Sequence, residues 1–265
     1  MTTPPKLTPP RVPASAYDEE YFREACGDAV AWDERRAVDG IYGWVVQTLG
    51  VGPETTIVDL GSGRGELVVA ALLAGARRAI GVEYSPDAIR LAHDTATAHG
   101  VDDRVEFHEA DVRDVPLADA VADHGTMLDV VEHLTGPELQ QALGEALRVL
   151  RPGGTLLVHT MPNRLVYDRT YLAVRAIWPR GRRWPRDPRK PIEHQMHVGE
   201  LSARELRDAL TAAGFVDVQV RHGDLHWFGF VPSRAARRLL AWADRVRPLH
   251  VLTRANLLAT ARRPT

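Results

Sequence analysis

Cysteine is almost absent. Cys26 stands alone among 265 residues, which excludes a disulfide framework and any zinc site built from cysteines. Long apolar runs are missing too: no uninterrupted stretch approaches the roughly 20 residues that cross a bilayer. The opening MTTPPKLTPPRVPA lacks the apolar core of a secretion signal. These absences lead us to expect a chain that works in a reducing cytoplasm. Aromatic residues make up only 6%, thin for a surface that would stack on nucleic-acid bases. What is present is 45% hydrophobic, enough for one full core, with no internal repeat.

The near-neutral total charge of −2 hides an asymmetry. Residues 1–150 hold 12 Lys and Arg against 26 Asp and Glu, net −14, whereas residues 151–265 hold 21 against 9, net +12. Either the halves neutralise each other across one fold, or the second half faces something anionic: a substrate, a nucleic acid or a lipid surface.

Five short runs read as buried strands: TTIVDL, RAIGVEY, RVEFHEAD, DHGTMLDVV and TLLVHTMP. Among them RGELVVAALLAGA, PDAIRLAHDTATAHG and GPELQQALGEALRVLRPGG carry helical patterns, the last closed by its Pro-Gly-Gly. SARELRDALTAAGF reads as a later helix with Ser202 as N-cap, and DVQVRH and LTRANLLATARR complete the sheet. The pattern predicts an α/β fold with a doubly wound, mostly parallel sheet of seven strands. A lid at about 163–198 follows strand five, and a basic helix at about 232–248 is inserted before the last strand. Residues 1–16 are expected to form a flexible Pro-rich tail, and 17–265 a single domain.

VDLGSGRGE follows the first strand and opens the first helix. Gly61, Gly63 and Gly65 allow backbone amides to approach a ligand, and the helix N-terminus favours negative charge. A dinucleotide fingerprint would end in a further glycine, but Glu66 stands there. Asp59, just before the loop, would repel a pyrophosphate and pair with an ammonium group. Glu83 ends the second strand, where a carboxylate accepts bonds from ribose hydroxyls, and Asp111 after the third can accept from an adenine amino group. The ligand implied carries an amine, a carboxylate and a ribose.

VDLGSGRGE, GVEYS, EADV, LDVVEHL and LRPGGTLLV, in this order, resemble the class I methyltransferases that use S-adenosylmethionine. That resemblance implies a Rossmann-like methyltransferase sheet in which Asp59 and the glycines hold the methionine end, Glu83 the ribose and Asp111 the adenine. Ser62, Tyr84, Val112 and Asp129 complete the expected cofactor contacts. Tyr21, in AYDEEYFREACGD, would reach the methionine carboxylate if that segment folds over the cofactor, or belong to an ordinary buried aromatic stripe.

The segment IEHQMH places Glu193, His194 and His197 within six residues. With Glu132 and His133 after strand four, it admits three readings. In the first, Glu132, His133 and His197, with Asp129, hold a divalent metal such as magnesium. This pattern resembles the small-RNA 3′-terminal 2′-O-methyltransferases, which implies RNA as a partner. In the second, the chain resembles the ubiquinone-biosynthesis O-methyltransferases. Their acceptor is an aromatic hydroxyl on a small molecule, whose proton a histidine can take. In the third, these side chains only pack or face solvent. His133, His197 and Glu132 are the expected catalytic residues, with His194 dispensable, and the expected activity is methyl transfer to a hydroxyl of a specialised metabolite. RNA 3′-end methylation is the alternative, and a non-catalytic S-adenosylmethionine-binding regulator is a second. YLAVRAIWPRGRRWPRDPRK mixes arginines with Leu172, Ile177, Trp178 and Trp184. It suits a peripheral membrane contact with a lipophilic or anionic substrate, a lid whose tryptophans seal the pocket, or a solvated loop.

Overall fold

The computed structural model describes residues 7–26, 40–189, 191–223, 231–246 and 249–265. β1 (Thr56–Leu60) is buried at every position, as a strand covered by helices on both faces must be. Alternation sends Val58 and Leu60 into the apolar layer under α5 (Gly136–Val149) and α8 (Ala203–Ala212). Ile57 enters the opposite layer, under α2 (Gly40–Leu49) and α3 (Glu66–Leu73). β2 (Arg78–Glu83), β3 (Val105–Glu109), β4 (Ala122–Leu128) and β5 (Leu150–Thr160) extend the parallel sheet. β6 (Val216–His222) and β7 (Leu257–Arg262) complete a seven-stranded order β3-β2-β1-β4-β5-β7-β6, with β7 antiparallel to both neighbours. The chain reverses its direction of travel through the sheet between β1 and β4. Such folds hold ligands outside the strand ends at that point.

Helix starts follow the local chemistry. Ser85 caps α4 (Pro86–Ala98) by accepting the Ala88 amide at 3.2 Å. Ser202 and Glu205 form the reciprocal capping box of α8. The Pro-Gly-Gly of residues 152–154 departs from expectation: it does not close α5, which stops at Val149, but lies inside β5. The register jumps there from Ala122↔Leu150 to His124↔Thr155, because Pro152 has no N–H to give and Gly153 takes φ 77°. Arg263 recovers the pairing on the other side through Gly153 and Gly154.

The N-terminal expectation also changes. Residues 1–6 lie outside the described set, but the segment from residue 7 to α1 (Glu19–Cys26) is docked. Val12 is only 5% exposed, the Tyr84 hydroxyl donates to its carbonyl at 3.0 Å, and the Arg11 amide donates to Glu138 at 2.8 Å. The segment after β5 forms a π-helical turn at Val166–Thr170, α6 (Tyr171–Ile177) and α7 (Pro191–Met196), so IEHQMH is helical through Met196 and His197 lies just past the helix end. The inserted helix α9 spans Arg234–Ala243; residues 247 and 248 of the predicted element fall outside the described residues. Among the described residues no helix is long and apolar enough to cross a membrane.

Candidate active site

A cavity of about 200 Å³ opens at the carboxyl ends of β1, β2 and β4. Asp59, Gly61, Ser62, Gly63, Glu83, Tyr84, Asp111, Val112 and Asp129 all line it, as does Tyr21. Gly65 caps α3 just behind, at φ 77°. The glycine loop is anchored by Gly61 and Ser62, whose amides donate to the Val82 carbonyl at 2.7 and 3.1 Å. Asp59 is buried and accepts from the Thr126 hydroxyl at 2.7 Å. Burial lifts its pKa from 3.8 to about 7 against that hydrogen bond, and Glu66 and Glu83 add to the rise. A cation beside this buried acidic group would favour its ionised form.

Glu83 is fixed by three backbone donors: Gly63 to Oε2 at 3.1 Å, and Tyr84 and Ser85 to Oε1 at 2.9 Å each. A carboxylate has about four acceptor sites, so one remains, on Oε2. Burial still pushes its pKa upward over these bonds. Asp111 carries a partner the sequence did not reveal. Arg113 grips both its oxygens, at 3.0 and 3.1 Å from Nε and 2.7 Å from Nη2, and leans on Glu138 at 3.4 Å. A ligand amino group would share Asp111 with this guanidinium. Above, Tyr17, Tyr21 and Tyr84 pack edge to face or tilted, with ring centroids 5.0 and 5.5 Å from Tyr17.

His133 walls the far end of the same cavity, 5.5 Å from the Tyr17 ring. Its Nδ1 lies 3.1 Å from the Met196 carbonyl of α7. A carbonyl only accepts, so the proton sits on Nδ1 and Nε2 keeps its lone pair. Burial, then the neighbouring His197, lowers the His133 pKa to about 4.

Glu132 and His197 do approach His133, but from behind, and neither walls the cavity. His197, expected as a catalytic residue, does not reach the cavity wall: its ring stands 5.0 Å from that of His133, and its Nδ1 faces Glu200 at 3.4 Å. Burial pushes Glu200 up, but bonds from His197 and Arg189 outweigh it and hold the carboxyl below its usual range. Glu132 is 1% exposed, accepts from the Thr160 hydroxyl at 2.8 Å, and is held well above the ordinary carboxylate pKa by burial and then by Asp129. Glu132, His133 and His197 each bring a ligand atom within 4.8 Å of the others.

Asp129, expected as a fourth member, does not join that cluster. It takes φ 54°, a left-handed conformation rare outside glycine, and turns its carboxylate to within 2.9 Å of Nδ1 of buried His159. Nε2 of His159 meets the Asn256 amide nitrogen at 3.3 Å. Neither His159 nor Asn256 was predicted, because each looks like an ordinary strand residue until β4, β5 and the start of β7 come together. His194 is half-exposed, with Asp187 3.8 Å away, and takes no part. The tryptophans of the predicted lid do not seal the cavity: Trp178 and Trp184 pack against Tyr171, Val231 and Leu240 in a separate cluster.

Comparison with known proteins agrees with this geometry. Residues 57–154, which carry the glycine loop and the acidic strand ends, match the family profile described as a methyltransferase domain. A probable S-adenosylmethionine-dependent methyltransferase of Mycolicibacterium smegmatis is 36% identical over 171 residues, 64% of this chain and 56% of that protein. The 27-O-demethylrifamycin SV methyltransferase of Amycolatopsis mediterranei is 35% identical over 100 residues, 38% of this chain and 36% of its own. The chain therefore spans about half or less of these relatives. The geranyl diphosphate C-methyltransferase of Streptomyces coelicolor, solved with Mg2+, geranyl diphosphate and S-adenosyl-L-homocysteine, shares the fold at TM-score 0.58 and 19% identity, over 96% of this chain and 89% of that one. Residues 57–154 thus carry the match to a methyltransferase domain.

Proposed function

We propose that the protein transfers a methyl group from S-adenosylmethionine to a hydroxyl of a small molecule. The cavity fits the cofactor's chemistry. Ser62 Oγ is buried there with no hydrogen-bond partner among the described residues, and Asp59, Glu83 and Asp111 present acceptors to its ammonium, ribose and adenine groups in turn. When bound, S-adenosylmethionine supplies an electrophilic methyl on a sulfonium. The chain's own part is to hold the acceptor oxygen in line and take its proton.

The observation that carries this reading is the tautomer of His133: with Nδ1 given to Met196, Nε2 is the base. With the cofactor and acceptor bound, Nε2 would take the acceptor oxygen's proton as the methyl is transferred. That proton becomes strongly acidic only as the methyl arrives, so a histidine held neutral by burial suffices. The relative named 27-O-demethylrifamycin SV methyltransferase supports this acceptor class.

A pH dependence follows from Asp59. Its raised pKa means the folded protein keeps a proton that the unfolded chain has lost. The associated stability is present in acid and declines as pH rises through about 7. Pairing with an ammonium group reverses the preference, so binding should release this proton. S-adenosylhomocysteine should bind about twentyfold more tightly at pH 7.5 than at pH 5.5 for one such proton. Calorimetry in buffers of different ionisation enthalpy should find proton release, and Asp59→Asn should remove both effects. A flat profile in the wild type would exclude Asp59 as the ammonium partner.

The cluster behind His133 favours a second reading. Two imidazoles and a carboxylate within 4.8 Å suit a divalent ion such as manganese, iron(II) or zinc better than magnesium. The Met196 carbonyl and the Glu200 carboxylate stand where supporting partners of ligand histidines belong. Glu132, His133 and His197 would hold the metal, which would supply a Lewis acid, and His133 is the one of the three that walls the cavity where vicinal hydroxyls of a metabolite or an RNA 3′ end would lie. Thermal unfolding tests this. A metal-dependent rise of several degrees that His197→Ala abolishes supports the metal, and no rise in the wild type leaves the metal-free site.

A further inference from the structure

We propose that α6 and α9 form a docking face for an anionic lipid bilayer. The two helices are clamped together by one apolar cluster, in which Tyr171 and Val174 of α6 meet Ala236 and Leu240 of α9 around Trp178 and Trp184. Each helix also turns a second apolar face outward. On α6, Leu172 and Ala176 and then Ala173 and Ile177 repeat at four-residue spacing on the exposed side, with Ile177 81% exposed. On α9, Ala235, Leu239 and Trp242 follow at i, i+4 and i+7, and Val246 extends the stripe. Leu239 is 52% and Trp242 59% exposed. A helix that needs only its buried face for packing has no use for such a stripe in water.

Charge identifies the occupant. Exposed Arg234, Arg238 and Arg245 flank the α9 stripe, and exposed Arg182, Arg183 and Arg186 follow α6. Among the described residues none of these six has a carboxylate partner, because the acids nearby are already used. Asp168 and Asp187 pair with Arg189, and Asp244 pairs with Arg254. Outward apolar side chains bordered by unpaired arginines match the boundary between anionic headgroups and acyl chains. A phosphate backbone would use the arginines but leave Ile177, Leu239 and Trp242 in water. The excess of positive charge in residues 151–265 thus has a place in the fold. This lobe leads into α7, whose Met196 carbonyl holds His133, so a docked protein would present its site near the membrane. The docking face does not depend on the methyl-transfer reading.

The test uses the whole protein and vesicles sedimented in 0.1 M salt. Vesicles of phosphatidylcholine with about 30% phosphatidylglycerol should bind it at least about tenfold more tightly than phosphatidylcholine alone, and about 0.5 M salt should weaken binding. Leu239→Glu with Trp242→Glu should cost about tenfold or more, as should Arg234→Glu with Arg238→Glu. These positions are exposed, and an unchanged thermal shift with S-adenosylhomocysteine shows that each variant is folded. Equal affinity for both vesicle types, indifference to Leu239→Glu with Trp242→Glu, or displacement of the protein from vesicles by a short RNA would overturn the proposal. Loss of the homocysteine shift in the wild type would instead overturn the cofactor reading and leave the vesicle result standing.

Discussion

Gly61→Ala is expected to lower S-adenosylhomocysteine affinity about 30-fold or more, the largest single-site loss in the cofactor cradle. Two independent costs meet at this residue. Its φ of 80° lies in the left-handed region, where a side chain is strained. A Cβ built there would also stand 2.4 Å from Cγ2 of Val130, a distance no relaxed contact permits. Val130 is β-branched and cannot swing away cheaply. Strain and overpacking together cost about 2–5 kcal/mol, and they fall on the amide that anchors the loop to Val82. Calorimetry with S-adenosylhomocysteine, alongside thermal unfolding without it, separates lost binding from lost fold. Gly63→Ala is the internal control: φ is 50°, but its Cβ would meet only Phe22 at 3.5 Å, an ordinary contact, so it carries the strain without the clash. Equal affinities for wild type and Gly61→Ala would show that the loop is not the cradle.

The second large effect is at His133. His133→Ala should reduce methyl transfer by about 10²- to 10⁴-fold, the usual contribution of a positioned base, while S-adenosylhomocysteine affinity stays within about threefold. His133→Gln refines the result. Its amide can still donate toward the Met196 carbonyl, but it takes no proton. A base therefore predicts that Gln is as impaired as Ala, whereas a residue that only steadies α7 predicts recovery. Single-turnover transfer from labelled cofactor into an extract of small metabolites reads both variants. Full activity in His133→Ala would remove the residue from the chemistry.

The sequence made the cofactor half of the site legible because its signals are local. A β-branched run broken by glycines gives a strand and a turn, and carboxylates at successive strand ends must share one edge of a parallel sheet. Asp59, Glu83 and Asp111 accordingly line one cavity. The other half depends on contacts made across the fold. His159 and Asn256, 97 residues apart in sequence, meet behind Asp129 only because β7 returns beside β5. The proline-rich N-terminal segment reads as a tail, yet bonds to Tyr84 and Glu138 bring Val12 to the cavity wall. Glu132 and His197 were placed in the right neighbourhood but on the wrong side of His133, since sequence carries no information about which face of a short turn points inward. Sequence leaves the tryptophans open between a membrane contact, a pocket seal and a solvated loop, because their neighbours on α9 lie more than 50 residues downstream.

A cavity that moves a methyl group differs from one that merely holds its donor in whether the label leaves the cofactor. Purified protein incubated with methyl-labelled S-adenosylmethionine and an extract of small metabolites, followed by organic extraction, tests it directly. Label is expected in the organic phase with the wild-type protein and is lost in His133→Ala, although both proteins bind S-adenosylhomocysteine. Tight binding of S-adenosylhomocysteine with no label transferred to metabolites or to a nuclease-sensitive RNA fraction would contradict it and make the protein a cofactor-binding regulator.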